Sequence, residues 1–364
     1  MSARASVLPV SPVMAGANAR RTRALAVLLM AVIASIFWID SRYPALMKRY
    51  TAGTHVKASG ALTFGAVYQV TRDLPLRVRV WRTTVNWLDA NRIGMTFSFL
   101  FAPAALTFFA TLRTRRTKSR FLNTIFGAVA GVPLAVCTNC IAPIARGLFA
   151  SGASTESVLG TMFASPALNV VVLAMSFALF PAHVAILKLA TVLFLIFVFA
   201  PAAASWQQSS PPAPVACPFE IPMDETWGEA FVGIGRSYVW SFWYVFRIAF
   251  PWMLLAALLG AIVIELLPPQ ALVANVTVGG IILVALIAAF LPVPMAFDVA
   301  IAYIAVTHGV PLPYVVTILC TLGIISVYSL SIMGKSVSWK VAAAAYATVA
   351  FLGAVSGLIV KALG

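Results

Sequence analysis

Charge is scarce in this chain. Asp, Glu, Lys and Arg make up 10% of its 364 residues, 62% are hydrophobic, and the mean hydropathy is +0.97. A soluble domain carries about 25% charged residues, so the shortage excludes a water-soluble globular protein and points to a polytopic membrane protein. Histidine is scarcer still: His55, His183 and His308 are scattered, and nothing near them completes a structural zinc site. Four cysteines in a chain this long do not make a disulfide framework. No Ser, His and carboxylate constellation marks an enzyme. Gly334-Lys335-Ser336 looks like the end of a phosphate-binding loop, but Ser329 stands where that loop needs glycine. No catalytic residue, resident metal or cofactor is therefore expected, and energy coupling falls to an ion gradient or an external source.

Acidic residues are few, 10 against 25 Lys and Arg, for a net charge of +15. The basic residues are not gathered into one polar module, which argues against nucleic acid as a partner. They sit between apolar runs, at Arg20, Arg21 and Arg23, five times within 113–120, and at Lys335 and Lys340. Topology determinants and contacts to anionic lipid are distributed in this way. Residues 16–38 have the basic start and apolar run of a secretory signal. The run ends in Phe37-Trp38-Ile39-Asp40 without a small-residue cleavage site, so a retained signal anchor is expected.

Apolar runs long enough to span, roughly 20 residues each, occur at about 24–40, 93–112, 121–152, 155–180, 183–204, 238–266, 276–308, 312–333 and 339–361. The fold class is thus all-α and polytopic, with about nine transmembrane helices. The third and seventh runs exceed one straight span at about 1.5 Å per residue, so each reads as a span plus a re-entrant or broken piece. A disordered cytoplasmic tail (1–23) precedes a first transmembrane half (24–204) that contains a long polar connection (41–92). A Pro- and Ser-rich linker (205–237) separates it from a second half (238–364). The five positive charges of 113–120 place that loop in the cytoplasm, although 41–92 carries nine Lys and Arg of its own. The expected location is the bacterial cytoplasmic (inner) membrane.

The halves look duplicated, as two broken-helix repeats. Gly152-Ala153-Ser154 lines up with Gly309-Val310-Pro311 at an offset of 157, which also sets Cys137 on Pro294 and Ser165-Pro166 on Leu322-Gly323. With nine spans the repeats would run parallel, and one span fewer would invert them. Polar residues interrupt apolar runs at Cys137-Thr138-Asn139-Cys140 and at Ser165-Pro166-Ala167-Leu168-Asn169. In lipid, such breaks survive only when buried in protein or lining a cavity, and paired broken segments point to a transport site near the bilayer midplane. Two thiols there suit a soft, thiol-seeking solute. Buried cysteines also serve as small hydrophobes, but packing gives no reason for the polar Thr138 and Asn139 between them. Those two and Asn169 could satisfy broken backbone or bind solute.

Residues 137–154 followed by 165–169 resemble the signature of a bacterial predicted-permease family that includes the organoarsenical efflux permeases. Members carry a Cys-rich turn, a nearby Pro and a Gly-Ala-Ser turn, and then an Ala/Ser-Pro-Ala-x-Asn break. The resemblance is specific over 133–172 and implies that Cys137, Cys140, Pro143, Gly152, Pro166 and Asn169 take the motif positions. Members often repeat the thiol turn in the second half. Here that half reads Leu291-Pro292-Val293-Pro294-Met295-Ala296-Phe297-Asp298, then Gly323-Ile324-Ile325-Ser326, with Cys320 off register. The resemblance therefore does not extend to a three-thiolate site for trivalent arsenic, and a more general permease stays open.

Two charges lie inside apolar runs beside the breaks, Arg146 and Asp298. Intramembrane ionisable residues are costly and usually paired. Asp298 is the candidate to carry a coupling proton or bind a cation, and Arg146 to pair with it or hold an anionic substrate. A structural ion pair is the plainer alternative. Together these features describe a permease for a small-molecule or metalloid solute, first of all efflux of a thiophilic metalloid or organoarsenical. A non-transporting thiol-redox or metal-sensing membrane protein is the second reading. The expected substrate-binding set is Cys137, Thr138, Asn139, Cys140, Pro143, Arg146, Ser165, Pro166, Asn169 and Asp298.

Overall fold

The computed structural model describes residues 20–44, 47, 67–71, 73–110, 118–150, 152–206, 226–266, 276–293, 296–307 and 309–363. The N-terminal tail, most of the 41–92 connection up to residue 66, residues 113–117, the linker from 207 to 225 with Cys217, Pro294, His55 and His308 lie outside them. The described residues form helices and connecting turns, with no strand. The all-α polytopic class expected from composition is the class observed.

Helix α1 (Arg20–Phe37) continues through a wide turn to Arg42. Then come α2 (Leu76–Ala110), α3 (Arg120–Gly131), α4 (Thr138–Ala150), α5 (Thr155–Ala167), α6 (Val170–Leu179) and α7 (Ala182–Trp206). The second half supplies α8 (Trp227–Leu266), α9 (Val278–Phe290), α10 (Phe297–Thr307), α11 (Leu312–Thr321), α12 (Val327–Ser336) and α13 (Trp339–Leu363). Helices α2 and α8 begin earlier than the apolar runs suggest. Leu76 lies inside the expected polar connection and Trp227 inside the expected linker. Helix α8 has a local reason to start there. Thr226 Oγ1 accepts from the Glu229 amide at 3.3 Å while the Glu229 carboxylate accepts from the Thr226 amide at 2.8 Å. This reciprocal cap satisfies two helix-start amides.

The duplication is plain in the helix order. Thr155, Val170 and Ala182 begin helices whose counterparts begin at Leu312, Val327 and Trp339, each 157 positions later. Gly152 and Gly309 turn the chain at matching points with φ of 92° and 79°, a region that glycine enters at no steric cost.

The two over-long apolar runs are helical hairpins. Gly127 packs on Ser157 and Gly131 on Thr161, so α3 and α5 run parallel at close approach. A Cβ on Gly131 would meet the Thr161 carbonyl at 2.7 Å. Thr161 Oγ1 donates to the Gly127 carbonyl at 2.9 Å. Since the start of α5 lies beside α3, the intervening α4 must return to the level at which α3 began. The second half repeats this. Gly357 sits on both Ile281 of α9 and Thr317 of α11, and Tyr346 Oη donates to the Leu286 carbonyl at 2.9 Å, so α13 is antiparallel to both helices and α10 folds back. Each arm is on the order of 20 Å long, about half a bilayer with its headgroups. Each hairpin therefore enters and leaves on one side. A tryptophan caps each tip, with Trp38 Nε1 donating to the Pro133 carbonyl at 3.1 Å and Trp87 Nε1 to the Pro292 carbonyl at 3.2 Å.

Re-entrant hairpins change the orientation of the repeats. Each repeat is left with three matching elements, α2, α5–α6 and α7 in the first and α8, α11–α12 and α13 in the second, and their directions make the repeats inverted, not parallel. The contacts between the equivalent helices α2 and α8 agree: Arg79 pairs with Glu265 at 2.8 Å, while Tyr238 Oη donates to the Leu100 carbonyl at 3.0 Å, so the two run antiparallel. By length and composition alone, α1, α7, α8 and α13 can cross a membrane, and α5–α6, bent by 46° at its break, makes a fifth crossing element.

This arrangement puts Ser119, Ser154 and Ser338 on one face, and Pro181, Val310 and Leu363 on the other. The first face carries the basic residues Lys118, Arg120, Lys335 and Lys340, and the five charges of 113–120 make it the face expected in the cytoplasm. Single cysteines at Ser119 and Ser338 should both resist an impermeant maleimide in intact cells, while one at Pro181 should react. Labelling of Ser119→Cys and Ser338→Cys from opposite sides would break the inverted arrangement.

Candidate functional site

The tip of the first hairpin is where the sequence motif falls. Ala135, with φ of 48°, turns the chain after Pro133, and α4 begins at Thr138. The Cys137 carbonyl accepts the first helical bond, from the Ile141 amide at 3.0 Å. One turn of helix then carries both thiols to the same face, with the sulfurs 2.7 Å apart, and Cys137 Sγ accepts from the Cys140 amide at 3.3 Å. Helix α2 packs on this turn. Cys140 Sγ donates to the Gly94 carbonyl at 3.3 Å, and Ser98 Oγ donates to the Cys140 carbonyl at 2.9 Å. Pro143 has no N–H for the Asn139 carbonyl one turn earlier, so that oxygen is freed at the tip.

Across the repeat boundary the tip meets the start of α12. Ser326 Oγ donates to Asn139 Oδ1 at 2.7 Å, and Ser326 and Ser329 cap α12 reciprocally. Three polar atoms here have no partner among the described residues: Thr138 Oγ1, Asn139 Nδ2 and Tyr328 Oη. Their residues are 2%, 0% and 0% exposed. Tyr328 lies within electrostatic reach of Cys140, Cys137 and Arg146. An unpaired buried polar group costs about 1–3 kcal/mol, and three of them lie beside the two thiols.

The break after α5 is occupied differently. Ser165 Oγ accepts from the Val136 amide at 3.2 Å, which ties the break to the hairpin tip. Asn169 Nδ2 donates to the carbonyls of Ser165 at 3.0 Å and Pro166 at 2.9 Å, while Oδ1 accepts from the Val172 amide at 3.0 Å. Both amide hydrogens and an acceptor position are used within the break. Of the two roles open to Asn169, backbone satisfaction is the one its contacts describe. Ser165, Pro166 and Asn169 shape the site from behind.

The two intramembrane charges do not meet. Asp298 pairs with Lys188 of α7, and the side chains are 7% and 2% exposed. Arg146 instead lies over the Tyr244 ring of α8, 5.4 Å from its centroid. Among the described residues it has no carboxylate partner. The expected Arg146–Asp298 pair is thus replaced by Lys188–Asp298, because the second hairpin tip faces α7 while Arg146 is carried by α4 toward α8. Lys188 is a charge inside the run 183–204, and the rule that singled out Asp298 applies to it equally. Ser326 and Tyr328 carried no such signal, being ordinary residues of an apolar run until the fold brought them to the first tip.

The hairpins have equivalent residues at their tips. Asn139 and Asp298 are each the second residue of the returning helix, and Asn169 and Ser326 each cap the helix after a break. One architecture thus carries a neutral, thiol-bearing tip in one half and a charged, thiol-free tip in the other. Cys320 belongs to the charged side, within reach of Lys188 and Asp298. Among the described residues no group of three or more His, Cys, Asp or Glu could hold a metal ion.

Inverted repeats, re-entrant hairpins and broken crossing helices around buried polar tips define a multi-pass membrane protein of permease-like architecture. A curated relative from Escherichia coli (strain K12), named UPF0718 protein YraQ, is 27% identical over 247 residues, covering 68% of each chain. No family model and no solved structure matches the chain.

Removing one partner of a buried ion pair costs about 3–5 kcal/mol because the other charge is stranded. Asp298→Asn should therefore lower the thermal stability of the purified protein strongly. Adding Lys188→Met should restore most of it, and adding Arg146→Gln should not. Rescue by Arg146→Gln instead would reinstate the pairing suggested by sequence.

Proposed function

We propose that this protein is a secondary permease that exports a small thiophilic solute, of the organoarsenical or related metalloid class, across the bacterial cytoplasmic membrane. The observation that carries this reading is the first hairpin tip, where two thiols in contact lie beside three buried polar atoms without partners among the described residues. Soft thiolates select soft centres. Two sulfurs are available there, since Cys320 lies on the other side of the site with the ion pair. A trivalent arsenical with one carbon substituent has two exchangeable oxygen ligands, so two thiols replace both with loss of two waters. Inorganic trivalent arsenic has three such ligands and would leave one unexchanged. Thr138, Asn139 and Tyr328 would hydrogen-bond the oxygens of the entering and leaving species.

The relative's printed name gives no solute, and the support from it is for a shared membrane-protein ancestry over two thirds of the chain. Catalysis is no part of the reading. A non-transporting thiol-redox protein would use the same sulfurs, and only vectorial movement distinguishes the two.

The test uses phenylarsine oxide, a trivalent aryl arsenical, with the full chain in proteoliposomes. The wild type should move it vectorially. Cys137→Ala combined with Cys140→Ala should reach the membrane in normal amounts yet lose that flux, because alanine offers no lone pair to a soft centre while its volume is close to that of cysteine. Normal flux in the double variant would reduce the thiols to packing residues and remove the thiophilic solute.

A further inference from the structure

The Lys188–Asp298 pair is buried on both sides and joins the two repeats. Lys188 belongs to α7, the last helix of the first repeat, and Asp298 opens α10, the returning arm of the second hairpin. The fold does not demand a charge at this place. At the equivalent positions of the other hairpin stand Asn139 and, on α13, the fully buried Ala345. There the contact across the repeats is the neutral bond from Ser326 to Asn139. The contact that the Asn139 tip makes across the repeats is therefore uncharged, while the Asp298 tip, with a different helix of the other repeat, makes an ion pair that cannot part in an apolar surrounding without stranding two charges.

Alternating access in inverted-repeat transporters moves one repeat against the other around a central site. Any such motion here must separate Lys188 from Asp298. Resting on the permease reading, we infer that Asp298 is the coupling-proton site, and that it takes one proton when Lys188 withdraws and releases it when the pair re-forms. The balance is simple. The carboxylate accepts a proton to become a neutral acid, and the ammonium keeps its charge. Lys188 is six residues into α7 from Ala182, so its long side chain can turn toward the near membrane face, as lysines close to helix ends do.

The surroundings leave the proton little choice of acceptor. From α11 the pair is faced by Cys320, which lies near Ser356 of α13 and Thr191 of α7. Helix α6 also packs on α10 and brings no ionisable side chain. A link to the thiol tip is built in. Gly323, with φ of 80°, lies against the Asp298 side chain, its position for a Cβ being 3.2 Å from Asp298 Cγ. Three residues on, Ser326 holds Asn139. The segment 322–326 thus touches the proton site at one end and the dithiol tip at the other.

The experiment is infrared difference spectroscopy of the full chain in nanodiscs as pH is stepped, together with phenylarsine oxide flux in proteoliposomes under an imposed pH gradient. The wild type should show a protonated-carboxyl band that rises as pH falls and is absent from Asp298→Asn. Lys188→Met should keep that band at every pH. The charge-balanced pair Lys188→Met, Asp298→Asn, which strands no charge, should carry the arsenical downhill at a rate indifferent to the gradient that drives the wild type. Absence of a titrating Asp298 band, or a double variant still driven by the gradient, overturns the proton site. A wild type that shows the band yet moves no arsenical supports the proton site and counts against the solute instead.

Discussion

Every feature of this fold answers to one constraint, which is that a backbone amide or carbonyl left unpaired in an apolar medium costs several kcal/mol. Helices meet it by themselves, but interrupted helices do not. Here each interruption is closed by a specific partner. Trp38 and Trp87 reach the proline carbonyls at the two hairpin tips. Ser165 holds the first tip from behind, and Asn169 spans its own break with three bonds. Ser326 and Ser329 close the second break. With those bonds made, irregular backbone persists at membrane depth, and beside Cys137 and Cys140 the buried Thr138 Oγ1, Asn139 Nδ2 and Tyr328 Oη stand without partners among the described residues.

Duplication supplies the scaffold, and departure from symmetry supplies the chemistry. An exact repeat would carry the same group at both tips. Instead the first tip has two thiols and an amide, and the second has a carboxylate paired with a lysine from the other repeat. The dithiol and the ion pair thereby stand on separate hairpins that both touch the segment 322–326. Close approach of α3 and α5 through Gly127, Gly131 and Gly160 makes the first hairpin a rigid part of its repeat.

Much of this was legible in the residues. Low charge and long apolar runs determined an all-helical membrane protein, because a chain this apolar can satisfy its backbone in lipid only within helices or a closed barrel, and the runs have helical-span length. Gly152 and Gly309 marked the internal repeat, since both turns need a backbone conformation that glycine takes freely. The excess length of 121–152 and 276–308 showed that those runs could not be single straight spans. Cys137 to Cys140 and Ser165 to Asn169 declared themselves by being polar where packing has no use for polarity.

What the tertiary structure alone decided was direction and partnership. Whether a long apolar run crosses the membrane or folds back depends on which helix its second arm packs against. Only the seating of Gly127 on Ser157 and of Gly357 on Ile281 and Thr317 settled it. That choice turned parallel repeats into inverted ones. In the same way a sequence shows that Asp298 needs a partner without showing which, because ion pairing is decided by distance in space. Lys188, 110 residues away along the chain, is brought to it by α7, while Arg146 is turned to Tyr244. Local chemistry was written in order along the chain, and the bonds between its two halves were not.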